Sequence, residues 1–166
     1  SAGAGAPPTF AAAGGITEAD QWRLSANLVN TSGVNDITAN LERNDTDFAL
    51  IGTGLTESSG VFTFPSTGIY LVTVFSTAYN DATNAYGGIY INFTTDNSSY
   101  NSRAYAIGAA GAAGEYQTVA GNVIFDVTNT STHKVKFQVS SPSVFTLSGS
   151  TSMQYTGVTF TRLGDT

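Results

Sequence analysis

No cysteine occurs in the chain. A disulfide framework and a thiolate metal site are both excluded, and the absence agrees with assembly inside a cell. Charge is scarce too. Asp, Glu, Lys and Arg make up 11% of the residues, against about 25% in ordinary domains. The charge present sums to −6, and an acidic chain repels phosphate backbones, which argues against nucleic acid as a partner. There is no run of about 18 apolar residues, so no membrane insertion is expected. The first fifteen residues, SAGAGAPPTFAAAGG, lack the basic region and long apolar core of an intact signal peptide. Histidine occurs once, as His133. A lone histidine needs placed partners to form a triad, no nucleophile-elbow phrase accompanies it, and it reads as a solvated turn residue. The glycines of IGTG over 51–54 are not followed by the lysine and helix of a phosphate-cradling loop. The expectation is a protein that is not an enzyme and carries no cofactor.

What the chain has in quantity is aromatic and neutral polar side chains, with 10 Phe and 8 Tyr. Its 166 residues suit one domain. A chain of that size buries roughly 70% of the surface it exposes when unfolded, so a core can suffice without staples. Residues 1–18 read as an extended arm, rich in Gly, Ala and Pro, and residues 19–166 as the folded domain. Pro7 and Pro8 favour an extended stretch, and Phe10 is the arm's one large apolar side chain. These three are the candidate attachment residues.

Strand signals then recur at short spacing. In GVFTFPSTGIYLVTV over 60–74, Phe62 and Phe64 alternate with smaller residues. Pro65 ends that strand because its ring removes a ladder donor, and Gly68 permits the turn. Trp22, Leu24, Ala26 and Leu28 alternate with polar residues. Ile89, Ile91 and Phe93 do so against Tyr90, Asn92 and Thr94. Val119, Val123, Phe125 and Val127 share a face, and Val135, Phe137 and Val139 alternate with Lys134, Lys136 and Gln138. A last strand runs over 153–160. Regular short strands without helical periodicity predict a β-sandwich, and the three glycines of 108–114 predict a loop. The strands are of two kinds. Those at 89–94 and 134–140 have one apolar and one polar face. Those at 69–75, 118–127 and 153–160 are apolar on both. If each kind forms one sheet, that second sheet needs cover from other chains.

Four carboxylates, Asp36, Glu42, Asp45 and Asp47, cluster in sequence. Oxygen ligands suit calcium, but the spacing is not that of an EF-hand and Arg43 lies among them. A turn-forming acidic loop is the preferred reading, with no metal. Asn-x-Ser/Thr triplets at Asn30, Asn44, Asn92, Asn97 and Asn129 are expected by chance in this composition. Tyr79, Tyr86, Tyr100 and Tyr105 flank predicted loops, where tyrosine either packs or contacts sugars and proteins.

The phrase FTFPSTGIY over 62–70, with YTGVTF over 155–160, resembles the tumour-necrosis-factor and complement globular-head superfamily over about Gln21 to Leu163. RNDTDF over 43–48, IGTG over 51–54 and ESSG over 57–60 resemble jelly-roll domains of tailed-phage virion proteins. The resemblance implies an all-β, ten-stranded, homotrimeric jelly roll. By position it implies a trimer interface of Leu71, Thr73, Phe75, Ala120, Ile124, Tyr155 and Thr159. The core would hold Trp22, Phe62, Phe64, Tyr70, Val72, Phe125, Val127, Phe137 and Phe160. It keeps calcium open as an alternative, since complement heads hold it. The function implied is a trimeric capsid decoration or cement protein on the virion surface, assembled in the host cytoplasm, with capsid or other virion proteins as partners. The alternative is the head of a tail fibre or spike that binds a host receptor or glycan.

Overall fold

The computed structural model describes residues 15–166. Pro7, Pro8 and Phe10 lie outside that range. Among the described residues there are thirteen strands and no helix. In chain order they are β1 (Ala19–Leu24), β2 (Leu28–Asn30), β3 (Gly33–Asp36), β4 (Leu41–Arg43), β5 (Thr56–Ser58), β6 (Val61–Thr63), β7 (Gly68–Asn80), β8 (Tyr86–Thr94), β9 (Asn101–Ala109), β10 (Tyr116–Val127), β11 (Lys134–Ser141), β12 (Phe145–Leu147) and β13 (Thr156–Gly164). Three more form than the ten expected. Five of the thirteen, β2, β4, β5, β6 and β12, are only three residues long, too short for alternation to reveal.

Two antiparallel sheets face each other. The seven-stranded sheet runs β2-β12-β7-β13-β1-β4, with β10 also paired to β7. The six-stranded sheet runs β5-β6-β11-β8-β9, with β3 also paired to β11. The two kinds of strand separate as alternation predicts. The doubly apolar β7, β10 and β13 lie in the first sheet, the one-sided β8 and β11 in the second.

Inward side chains of both sheets make one core. Phe62, Phe64, Tyr70, Val72, Phe125, Val127, Phe137 and Phe160 are buried, each worth about 1.5–3 kcal/mol of transfer energy. Phe62 meets Phe160 at 5.2 Å and Phe137 at 5.7 Å between ring centroids. Phe64 meets Tyr70 at 4.7 Å. Tyr70 keeps its hydroxyl bonded to Ser66, although burial raises its pKa.

Trp22 differs from expectation. It is half-buried and packs on the rim of the core, edge-on to Phe62. Its indole N–H donates to the buried carboxylate of Asp20 at 2.9 Å, and the Arg43 guanidinium lies 4.8 Å above its ring. A polar tip and a cation hold it at the sheet's end.

The β5–β6 hairpin turns on two residues, Ser59 and Gly60, with φ of 52° and 83°. Positive φ at both centres is what a two-residue hairpin of this hand requires. A Cβ at Gly60 would strike the carbonyl of Ile37, so glycine is needed twice over there. Two boundaries also differ. β9 continues through Gly108 to Ala109, and β13 starts at Thr156, leaving Met153 and Tyr155 ahead of it.

Candidate oligomer interface

β7 lies at the middle of the outer face of the seven-stranded sheet. Its outward residues are Leu71, Thr73, Phe75, Thr77 and Tyr79, because 70, 72, 74, 76, 78 and 80 are buried inward. Antiparallel register sets Leu71 opposite Ile124 of β10 and Thr161 of β13. Thr73 faces Asn122 and Thr159, and Phe75 faces Ala120 and Gly157. Six of the seven sequence-derived interface residues therefore lie on one surface. Tyr155 joins them from the segment just before β13, where its carbonyl accepts from the amide of Thr77.

This surface is uncharged, mixes apolar side chains with Thr and Asn, and is open in the single chain. Ile124 is 60% exposed, Phe75 37% and Tyr155 38%, while Leu71, Thr73 and Thr159 are half-buried by their neighbours. The outward positions of β7 from 71 to 79 and of β10 from 116 to 124 carry no charged side chain. Tyr116, 69% exposed, extends the surface and meets Tyr79 at 5.1 Å between ring centroids. A shallow groove beside it is lined by Asn27, Thr77, Ser148 and Tyr155. Sequence reasoning left Tyr116 out, although it has the parity of Ala120 and Ile124 and only a longer β10 was needed to include it.

The four acidic residues do not come together. Glu42 and Asp45 accept from the buried Arg23 guanidinium, at 2.8 and 2.6 Å. Asp36 lies on the other sheet and pairs with Lys136 at 2.9 Å. Asp47 is in a turn with φ of 52°. Among the described residues no group of three or more His, Asp or Glu side chains is placed to hold a metal ion.

His133 is buried, not solvated. Its ring stacks on Phe125 with centroids 5.6 Å apart, and its nitrogens are bonded to the hydroxyls of Thr128 and Thr132. Nothing in the sequence around it announces that stack, since Phe125 belongs to the preceding strand. Asn92 is likewise buried inside β8, bonded to Gln138 and Ser102. Tyr79, Tyr100 and Tyr105 are half-buried on strand faces or beside them, and only Tyr86 is open, at 38%.

Asp96 shows how the neutral polar composition is used. Its carboxylate accepts from the Ser99 amide, the Thr94 hydroxyl and the Ser98 amide, at 2.7, 2.7 and 2.8 Å. These donors hold its pKa well below the usual carboxylate range.

No protein-family model matches the chain, and no curated protein matches it. Solved structures do. Eiger TNF from S. frugiperda superposes with a TM-score of 0.70 at 10% identity, covering 91% of this chain and 95% of that one. Murine APRIL superposes with a TM-score of 0.61 at 15% identity, covering 88% and 98%. The PRD1 vertex protein P5 superposes with a TM-score of 0.51 at 18% identity, covering 91% and 100%. At such identities the likeness is one of fold. The chain has the jelly roll of the TNF-like proteins.

Proposed function

We propose that this chain is a non-enzymatic structural protein of a phage virion, a homotrimer that decorates and cements the capsid. The observation that carries the reading is the open, uncharged face of Leu71, Phe75, Ala120 and Ile124. A sheet of a sandwich ordinarily wets its outer face with polar side chains, and a patch of this kind marks an association surface. The likeness to the PRD1 vertex protein P5 supports a virion setting for the same fold. The arm of residues 1–18, with Pro7, Pro8 and Phe10 as its anchor, attaches the trimer to the shell in this reading. The stiffness of the prolines lowers the entropy lost on docking.

Copy number per particle tests the role. Hundreds of copies support decoration. A few to some tens support the second reading, the receptor- or glycan-binding head of a tail fibre or spike, which the tyrosines on the outside of the six-stranded sheet favour. Deleting residues 1–16 tests the arm: trimer formation and melting should hardly change, and retention on particles should be lost.

A further inference from the structure

The outer face of the six-stranded sheet carries a separate aromatic patch, centred on Gly88 of β8. Tyr105 of β9 leans across that glycine: a Cβ at residue 88 would lie 2.8 Å from Tyr105 Cε2 and would also strike the carbonyl of Ala106. Tyr90, next on the same face of β8, is the cross-strand partner of Tyr105. The two rings stack with centroids 3.8 Å apart and planes 9° apart. Tyr86 and Ile107, at 38% and 52% exposure, continue the face, since 86, 88 and 90 share one parity and pair with 109, 107 and 105. Both rings are half-buried, and each spends one face on the other.

Beside the rings runs a chain of polar side chains that bond one another. Ser102 Oγ donates to Asn92 Oδ1 at 2.7 Å, and Asn92 Nδ2 donates to Gln138 Oε1 at 3.1 Å. Gln138 Nε2 donates to Asp36 Oδ1 at 2.7 Å, and Lys136 Nζ donates to Asp36 Oδ2 at 2.9 Å. Gln138 is the residue of β11 directly opposite Tyr90. Amide and carboxylate are thereby held in fixed planes next to the stacked rings.

The combination matches one ligand chemistry. The face of an aromatic ring is negative and attracts the C–H-lined face of a pyranose. A fixed carboxylate and carboxamide accept from and donate to its vicinal hydroxyls. Because these groups are ordered beforehand, little further entropy is lost on binding. Asp36 and Lys136 neutralise each other, which suits an uncharged sugar. A protein partner would favour a larger apolar centre with desolvated anchors, and here the centre is two tyrosine rings rimmed by amides. We propose that this face is a binding platform for neutral, pyranose-based polysaccharide, with the free face of Tyr90, backed by Tyr105, packing on the sugar and Gln138 and Asp36 reading its hydroxyls. The platform lies on the sheet opposite the proposed trimer face, so it stands whether or not the trimer does.

The test is an array of neutral microbial polysaccharide fragments probed with the full chain and with Tyr90→Ala, Tyr90→Trp and Gln138→Ala. The full chain should retain at least one neutral glycan. Tyr90→Ala and Gln138→Ala should each weaken that retention about tenfold or more, a loss of about 1.4 kcal/mol. Tyr90→Trp, which keeps a stacking face, should retain it, and sedimentation of all variants should match the parent. Retention of no glycan, or retention indifferent to Tyr90→Ala, overturns the proposal. Retention on a deglycosylated host protein instead, lost in Tyr90→Ala, assigns the patch to a protein partner and also overturns it. A change in oligomeric state with glycan retention intact counts against the trimer alone.

Discussion

Asp20 shows how much one buried charge holds together in a chain that has few. Its buried carboxylate accepts from the guanidinium of Arg43, the indole of Trp22 and the backbone amide of Leu55. Removing it strands the indole and amide donors in a site that water hardly reaches. Asp20→Ala should therefore cost about 2–4 kcal/mol, read by chemical denaturation. A loss under about 1 kcal/mol would mean those donors find other partners. Asp96 supplies the pH dependence. Its folded pKa lies below the unfolded one, so its turn contributes stability that is complete above about pH 4, where the unfolded carboxylate is ionised. That stability is lost as pH falls through the folded pKa, below the usual carboxylate range. An NMR titration should find Asp96 still ionised at pH 3, and a midpoint near 4 would contradict the three-donor turn. Neither role was legible in sequence. Asp20 reaches Leu55 and Arg43 across the fold, and His133 finds its ring partner in the strand before its turn.

At the scale of elements, alternation carried much of the information. The parity of 70, 72 and 74 against 71, 73 and 75 names the two faces of β7. The doubly apolar character of β7, β10 and β13 sorts them into one sheet. What alternation does not carry is ends. Tyr155 precedes β13 rather than standing in it, because the segment turns before Thr156, and the three-residue strands are shorter than any readable period. Two substitutions test the element reading. Tyr70→Ala and Phe125→Ala should each cost roughly 3–5 kcal/mol per protomer, since Tyr70 is wholly buried and Phe125 stacks on Phe93 at 3.9 Å. Losses under about 1 kcal/mol would contradict that packing. Gly60→Ala should cost about 1–3 kcal/mol through the left-handed turn it occupies, more if Ile37 cannot move aside. An unchanged denaturation midpoint would show that the hairpin turns elsewhere.

At the scale of the molecule, the two sheets present different outsides. The six-stranded sheet carries a stacked, hydrogen-bonded face that needs no covering. The seven-stranded sheet carries Leu71, Phe75, Ala120, Ile124 and Tyr116 with no charge among them, and this is the surface the trimer reading covers with two further copies. Burial of a Leu or Phe contributes about 1.5–3 kcal/mol, and threefold symmetry repeats each contact. Leu71→Asp or Phe75→Asp would place an unpaired charge in that contact. The most direct measurement is sedimentation equilibrium of the unmutated chain at micromolar concentration, beside Leu71→Asp. The parent should sediment as a single species of three times the chain mass, and the variant as monomer or aggregate. A folded parent that sediments as a monomer would contradict the trimer reading.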